Sequence, residues 1–393
     1  MNKNETFKWV VPSIFGVGAR KEIIPELKAR NCSKVLLFHG KSTERAGISN
    51  ELMELLKNND FDVLDCNESK PDPLESDVNR IGNLAREHGI DCIVAIGGGS
   101  AIDAAKAIKV LANNPGEINE YFLGTQKTIH TGIPLIAMPT TAGTGTEVDR
   151  AAMITADTDG GKKVLVGIGA TPDLAIVDPE LTVTCPPRIT AGCGFDSLAH
   201  CIDAATGKVS NESIRLAAYT GIKLVKENLN AAVNDGSNID ARVGLHMASM
   251  LGGINIANAN CSVAHSLAHG LGAAYHISHG ECISIFTPPS LEFVAEESAA
   301  EIKEIGKLLG VNYSQNDDKQ TVAKKVSAFL YHWYRQLGLP DITELVPDKE
   351  DAITQITPYA LADVNWRFCR KELTAESART IIERAYKIVE EYN

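Results

Sequence analysis

Two hydrophobic patterns share this chain, and they change over near residue 186. Before that point short apolar runs alternate with amphipathic stretches. Val35–Phe38, Val63–Leu64, Cys92–Ile96, Pro134–Met138 and Ala175–Val177 read as buried strands. Ser49–Asn58, Leu74–His88 and Ala101–Ala112 carry apolar positions at helical spacing. This alternation predicts an α/β domain over residues 1–186, a mostly parallel sheet covered by helices. At Cys185-Pro186-Pro187 the pattern breaks, because proline stops regular structure but suits a helix's first turn. Beyond it strand signals are sparse. Arg188–Ala205, Ile214–Asn228, Ala241–Ala257, Ser262–Ala274, Leu291–Leu309, Thr321–Gln336, Asp348–Ala362 and Ala375–Glu391 read as helices, with Thr374 as N-cap of the last. The expected second domain, residues 187–393, is all-α.

Composition and charge then remove whole classes of function. A net charge of −12, with no Lys/Arg-rich run, argues against nucleic acid as a partner. No apolar run reaches membrane-spanning length, so no membrane span is expected. MNKNETFKWV lacks the apolar core of a signal peptide. The nine cysteines are scattered without a CxxC pair, which suggests reduced thiols and a cytoplasmic protein.

The candidate chemistry is concentrated in three places. Cys92–Lys106 runs from a strand through Gly97, Gly98, Gly99 and Ser100 into a helix, so backbone N–H groups can point at an anion such as a pyrophosphate. The spacing is neither GxGxxG nor GxxxxGK[ST], and a bare strand-to-helix turn has the same look. Pro139–Val148, PTTAGTGTEV, offers hydroxyls and free amides directly after the Pro134–Met138 strand. Ligands of open α/β sheets bind at the carboxyl ends of strands. The third place is rich in histidine: Asp196 and His200 are four apart, and His265, His269, His276 and His279 fall within fifteen residues. A carboxylate with several imidazoles suits Fe(2+) or Zn(2+). Spacing alone would pair His265 with His269 on one helix face. Cys261 and Cys282 flank this segment and read as structural thiols.

GGGSAIDAAK, PTTAGTGTEV, ITAGCGFDSLAH and HSLAHGLGAAYHISHG, in this order, together resemble the iron-containing (group III) alcohol dehydrogenase family. The resemblance runs from Phe15–Gly18 to the C-terminal helices. It implies a Rossmann-like domain binding NADP or NAD, a helical domain holding the metal, a dehydroquinate-synthase-like architecture with the cofactor in the cleft, and a homodimer. It implies hydride transfer between the nicotinamide and a small alcohol, diol, hydroxy acid or the matching aldehyde. The metal ligands it implies are Asp196, His200, His265 and His279, which leaves His269 free as a proton-relay residue. For the cofactor it points to Gly97, Gly98, Gly99, Ser100, Asp103, Thr140, Thr141, Thr144 and Lys162. In many members the second strand ends in an aspartate that meets the adenosine ribose; here Gly40 takes that place, followed by Lys41, Ser42 and Thr43. Gly40 and Ser42 thereby resemble the NADP-using members. His276 stands where other members often lack histidine, and its role stays open. Among related enzymes, dehydroquinate-synthase-like lyases need a different set of basic substrate-binding residues, glycerol dehydrogenases use fewer protein ligands, and maleylacetate reductases lack the full set. A non-catalytic nucleotide-binding protein with a vestigial site would have lost a ligand, and none is lost.

Overall fold

The computed structural model describes residues 5–125, 127–158 and 160–392. Its internal contacts divide the chain into two units. One comprises Trp9–Thr141 with Gly145–Cys185; the other comprises Pro186 onward, with Ala142–Thr144 and the stretch ending at Lys8.

The first unit is built on strands β1 (Ser13–Phe15), β2 (Lys34–Gly40), β3 (Asp62–Ser69), β4 (Cys92–Gly97), β5 (Leu135–Pro139), β6 (Ala151–Thr155), β7 (Lys162–Val166) and β8 (Leu174–Val177). Six of them form one sheet in the order β1-β8-β5-β4-β2-β3, with parallel pairings, while β6 and β7 pair antiparallel as a separate ribbon. Helices α1 (Ile23–Ala29), α2 (Lys41–Arg45), α3 (Ile48–Lys57), α4 (Glu75–Glu87) and α5 (Gly99–Asn113) connect the strands. The inner strands β2, β4, β5 and β8 read as apolar runs because both faces of the sheet are covered there. In β2, Leu36 and Phe38 join Val78, Ile81, Ala104 and Ile108 in one core. Val35 and Leu37 point the other way, to Ile23, Leu27, Leu52 and Leu56. Two short features lie outside the expected strands. β1 has three residues, too few to show a period, and the β6–β7 ribbon is only partly buried, so its apolar signal is diluted.

The order of the sheet positions three loops together. β4 lies between β2 and β5, and all three run the same way, so the turns after Gly40, Gly97 and Pro139 leave one edge. β3 lies on one side of β2 while β4 and β5 follow on the other. The chain therefore reverses direction across the sheet between β2 and β4, where open α/β sheets place ligands.

The second unit is helical: α6 (Pro187–Thr206), α7 (Glu212–Asn234), α8 (Ile239–Ala259), α9 (Val263–Tyr275), α10 (His279–Phe293), α11 (Ala299–Leu309), α12 (Lys319–Gln336), α13 (Ile342–Leu345), α14 (Lys349–Ala362) and α15 (Ala375–Tyr392). Pro187 opens α6 at a position where its missing N–H costs nothing. From Gly194 to Gly207 every residue of the chain is buried, so α6 is the spine of this unit and not a surface helix. Thr374 caps α15 by accepting the Ser377 N–H at 3.2 Å. The apolar pattern predicts one helix over Leu291–Leu309, and here the structure differs. α10 ends at Phe293 and α11 begins at Ala299, with Ser298 between them bonding its hydroxyl to the Thr206 carbonyl at 3.0 Å. That buried bond to the end of α6 fixes the break, while Pro288 and Pro289 sit inside α10. Among the described residues no helix is long and apolar enough to cross a membrane.

Candidate active site

Helix periodicity begins the site. Asp196, His200 and Asp203 lie at i, i+4 and i+7 of α6 and share a face. α9 presents His265 and His269 one turn apart, and His279 is the first residue of α10. The backbones of α6 and α10 come very close because each offers a glycine. A Cβ on Gly280 would lie 2.6 Å from the Gly192 Cα, which no side chain tolerates. Gly192 is one turn before Asp196 and Gly280 directly follows His279, so this approach carries His279 to the carboxylate.

The result is a convergence on one oxygen. His200 Nε2, His265 Nε2 and His279 Nε2 lie 3.3, 3.5 and 3.2 Å from Asp196 Oδ1. Yet Asp196 Oδ1 and His265 Nε2 are buried without a hydrogen-bond partner. Unpaired buried polar atoms are costly, about 1–3 kcal/mol each, and need an explanation. Four donors bound at ~2.0–2.1 Å around a tetrahedral ion would sit roughly 3.4 Å apart. The spacing and the missing hydrogen bonds therefore fit a divalent cation. Asp196, His200 and His265 are shielded from solvent, while the His279 side chain is 37% exposed, so the cluster opens on that side.

Protonation tendencies agree with this chemistry. Burial alone would raise the Asp196 pKa, but the imidazoles of His200 and His279 hold it well below the usual carboxylate range. Burial pushes His200 down to about 3, so its lone pair is free. Burial likewise lowers His279, against the pull of Asp196. His265 goes the other way. Burial disfavours its charge, but the Cys261 sulfur and the Asp196 and Asp203 carboxylates raise its pKa. The surroundings call for positive charge at His265, which a cation supplies without a proton.

Two carboxylates that the sequence motifs do not reveal complete the arrangement. Asp203 Oδ2 accepts from the Ser262 N–H at 2.8 Å and pairs with His265 Nδ1 at 2.7 Å. Asp363 Oδ2 pairs with His269 Nδ1 at 2.8 Å, and its Oδ1 accepts from Ser266 Oγ at 2.8 Å and the Asn365 N–H at 2.7 Å. The His269 bond and charge overcome burial and bring Asp363 down to about 2. The i+7 spacing from Asp196 was a usable signal for Asp203. Asp363 is 94 residues from His269, and no local pattern marks it. His269 borders the cluster, its ring centroid 5.2 Å from that of His279 and 6.2 Å from that of His265. His276 stands apart: it is exposed and caps α9 in a left-handed conformation, φ 55°.

In the sheet unit, the predicted anion loop follows β4, and α5 starts at Gly99. A Cβ on Gly97 would meet the Ala101 Cβ at 2.6 Å, so the turn requires glycine there. The Thr140 N–H donates to the Gly97 carbonyl at 2.9 Å, which ties the second loop to the first. Thr141 lies against Gly98, and Ser100 is partly exposed at the start of α5. Asp103 spends both oxygens inside this unit, accepting from Thr146 Oγ1 at 2.6 Å and the Met153 N–H at 3.0 Å. It shapes the threonine loop. Lys162 pairs with Asp72 and donates to Thr155 Oγ1 at 3.1 Å. Gly40 ends β2 with the Ser69 carbonyl oxygen 3.0 Å from where a Cβ would stand; Ser42 is exposed, and Thr43 donates to the Gly40 carbonyl at 2.7 Å. Thr144 groups by its contacts with the helical unit.

A parallel sheet with a glycine turn and a helical unit gathering one carboxylate and three imidazoles define a two-unit protein with a candidate metal centre. Comparison with known proteins makes the class specific. The iron-containing alcohol dehydrogenase family matches residues 12–179, and the C-terminal region of the Fe-containing alcohol dehydrogenase family matches residues 190–386. Alcohol dehydrogenase 4 of Saccharomyces cerevisiae is 31% identical over 376 residues, covering 95% of this chain and 97% of its own. The NAD-dependent methanol dehydrogenase of Bacillus methanolicus is 31% identical over 373 residues, with the same coverage. A solved 1,3-propanediol oxidoreductase superposes with a TM-score of 0.90 at 27% identity, over 97% of this chain and all of that one. The chain belongs to the iron-containing alcohol dehydrogenase family, and its fold is dehydroquinate-synthase-like.

Proposed function

We propose that this protein is a metal-dependent alcohol dehydrogenase. It would interconvert a small alcohol, diol or hydroxy acid and the matching carbonyl compound, with NAD(P) as hydride acceptor or donor. The observation that carries this reading is the convergence of three imidazole Nε2 atoms on the unpaired Asp196 Oδ1. In it, residues 1–186 bind the dinucleotide, residues 187–393 hold metal and substrate, and Asp196, His200, His265 and His279 are the ligands. Fe(2+) is the expected ion by family, with Zn(2+) compatible with the same donors. Bound there, the ion would serve as a Lewis acid that lowers the pKa of the alcohol.

The chain's own groups do the rest. Asp203 holds the His265 Nδ1–H and so keeps the Nε2 lone pair turned to the ligand cluster. Asp363 does the same for His269, leaving Nε2 of that ring to take the alcohol proton and pass it on. Gly97–Ser100 and the amide-rich start of α5 take the pyrophosphate, with Thr140, Thr141 and Thr144 in the second loop. The segment after β2 decides between cofactors. Gly40 sets no carboxylate against a 2′-phosphate, and Lys41 and Ser42 are exposed beside it, which favours NADP; the NAD-dependent Bacillus relative weighs the other way. A homodimer and a cytoplasmic setting complete the proposal.

The test is anaerobic. Protein loaded with Fe(2+) is assayed against alcohols and aldehydes with each dinucleotide, alongside metal analysis. Turnover that disappears on chelation and returns with iron supports the reading; full turnover by metal-free protein overturns it. A kcat/KM ratio favouring NADPH over NADH is expected, and a strong NADH preference removes the role given to Gly40.

A further inference from the structure

The nine cysteines are scattered in sequence, yet the fold of the sheet unit brings two of them together. Cys92 is the first residue of β4 and is fully buried. It belongs to the core formed with Ile23 and Leu27 of α1 and Val35 and Leu37 of β2. Cys32 lies after α1, two residues before β2; it is partly exposed and packs against that same core.

The chain around each cysteine is clamped to the other. Asn31 turns the backbone after α1 with φ 56°, and the Cys32 N–H donates to the Leu27 carbonyl at 3.0 Å. The Ser33 N–H and hydroxyl donate to Asp91 Oδ2 at 2.8 and 2.7 Å, and the Lys34 N–H donates to Asp91 Oδ1 at 2.9 Å. The Asp91 N–H in turn donates to the Lys34 carbonyl at 2.9 Å. The residue after Cys32 is thus bonded to the residue before Cys92. The two thiols are themselves hydrogen-bonded. That bond holds the Cys32 pKa below the usual thiol range against burial, and together with burial it holds Cys92 well above it. Of the charged neighbours of Cys32, Asp91 opposes its ionisation and Arg30 favours it. The accessible thiol is therefore the more acidic one, and the buried thiol keeps its proton and donates it.

We infer that Cys32 and Cys92 are a redox-active pair, a site of reversible modification at which a hydroperoxide closes a disulfide. The Cys32 thiolate attacks one peroxide oxygen, the O–O bond breaks, and the other oxygen leaves as hydroxide or alkoxide and takes a proton from water. The Cys92 sulfur then attacks the Cys32 sulfenic acid. The S–S bond forms, the S–O bond breaks, and the hydroxyl leaves as water with the Cys92 proton. Peroxide is reduced by two electrons and the two thiols are oxidised by two; a small thiol reverses the change by exchange. The bond closes a loop of about sixty residues and ties the α1–β2 junction to β4. It lies at the start of β2 and β4, the edge opposite the turns after Gly40 and Gly97. It therefore staples the sheet without entering the anion loop or the metal centre.

The experiment treats the full-length protein with one equivalent of hydrogen peroxide, blocks the remaining thiols with an alkylating reagent and maps tryptic peptides by mass spectrometry. Cleavage after Arg30, Lys34, Arg86 and Lys106 leaves Cys32 and Cys92 each as the single cysteine of its peptide. The expected product joins residues 31–34 to residues 87–106, about 2 Da lighter than the two reduced peptides together, and dithiothreitol separates it. The unfolding midpoint of the linked protein should rise by roughly 5 °C. Cys32→Ser should abolish the link. In Cys92→Ala, where nothing traps the sulfenic acid, Cys32 should gain about 32 Da as sulfinic acid. The wild-type map needs no variant and decides the matter by itself. Wild-type Cys32 oxidised beyond sulfenic acid, joined to another cysteine or left reduced while peroxide is consumed overturns the inference. A link that leaves the unfolding midpoint unchanged overturns its role as a staple.

Discussion

The two candidate sites of this chain are made of different material. In the helical unit the candidate ligands are side chains: one carboxylate and three imidazoles on α6, α9 and α10, with Asp203 behind His265 and Asp363 behind the neighbouring His269. In the sheet unit the site is backbone: a turn at Gly97, an amide-rich helix start and a loop tied to it through the Thr140 N–H. The first stores charge in a buried place and depends on which atoms are present. The second stores shape and depends on which atoms are missing.

Substitution can separate the two. The largest effect is expected from Asp196→Ala, which removes the oxygen on which three imidazoles converge; metal content should collapse and kcat fall by at least about 10³. The dinucleotide Kd, read by cofactor fluorescence, should move little. Gly97→Val should do the reverse, raising the dinucleotide Kd or KM by roughly tenfold or more while metal stays bound, since its Cβ would press on Ala101 at 2.6 Å. If both variants changed the same parameter, the division drawn here would be wrong. Asp363→Asn should lower kcat about 10–100-fold and shift the pH–rate profile, leaving KM and metal content near wild type. An unchanged profile would reduce Asp363 to a packing residue.

The smallest effect is on stability, and its sign differs between units. Asp363 has a pKa of about 2 when folded, below its ordinary value. Its contribution, about 2 kcal/mol, is present above pH ~4 and lost as pH falls from there towards 2. Glu147, buried in the sheet unit with an unpaired Oε1, is pushed up by burial to about 7. It binds its proton more tightly when folded, so stability declines by about 3 kcal/mol as pH rises through ~4.5 to 7. Denaturant titrations across pH should find Glu147→Gln abolishing the loss between pH ~4.5 and 7, and Asp363→Asn the loss below pH ~4.

The contrast in material also governs what sequence can reveal. Long helices and doubly covered strands were legible because period and apolar runs report burial directly, as in β4 and α6. The residue types of the candidate ligands were legible, and the structure brings Asp196, His200, His265 and His279 together. Distances were not: spacing alone pairs His265 with His269, whereas the Gly192–Gly280 approach brings His279 to Asp196 instead. Asp363 depends on α14 packing along α9, a tertiary fact with no local trace. The break between α10 and α11 likewise depends on one hydroxyl reaching the end of α6.

One detail of the chain's path has a practical consequence. Ala142–Thr144, in the middle of the threonine loop, belongs by its contacts to the helical unit, where Ser197 Oγ donates to the Gly143 carbonyl at 3.0 Å. A Cβ on Gly143 would lie 2.9 Å from the Cys193 Cβ, so the fit is tight. The halves are therefore not modules that can be exchanged at residue 186. A chimaera that joined this sheet to a relative's helices would carry three residues moulded to a helix it no longer has. Grafting would have to move that tripeptide together with its helical cradle.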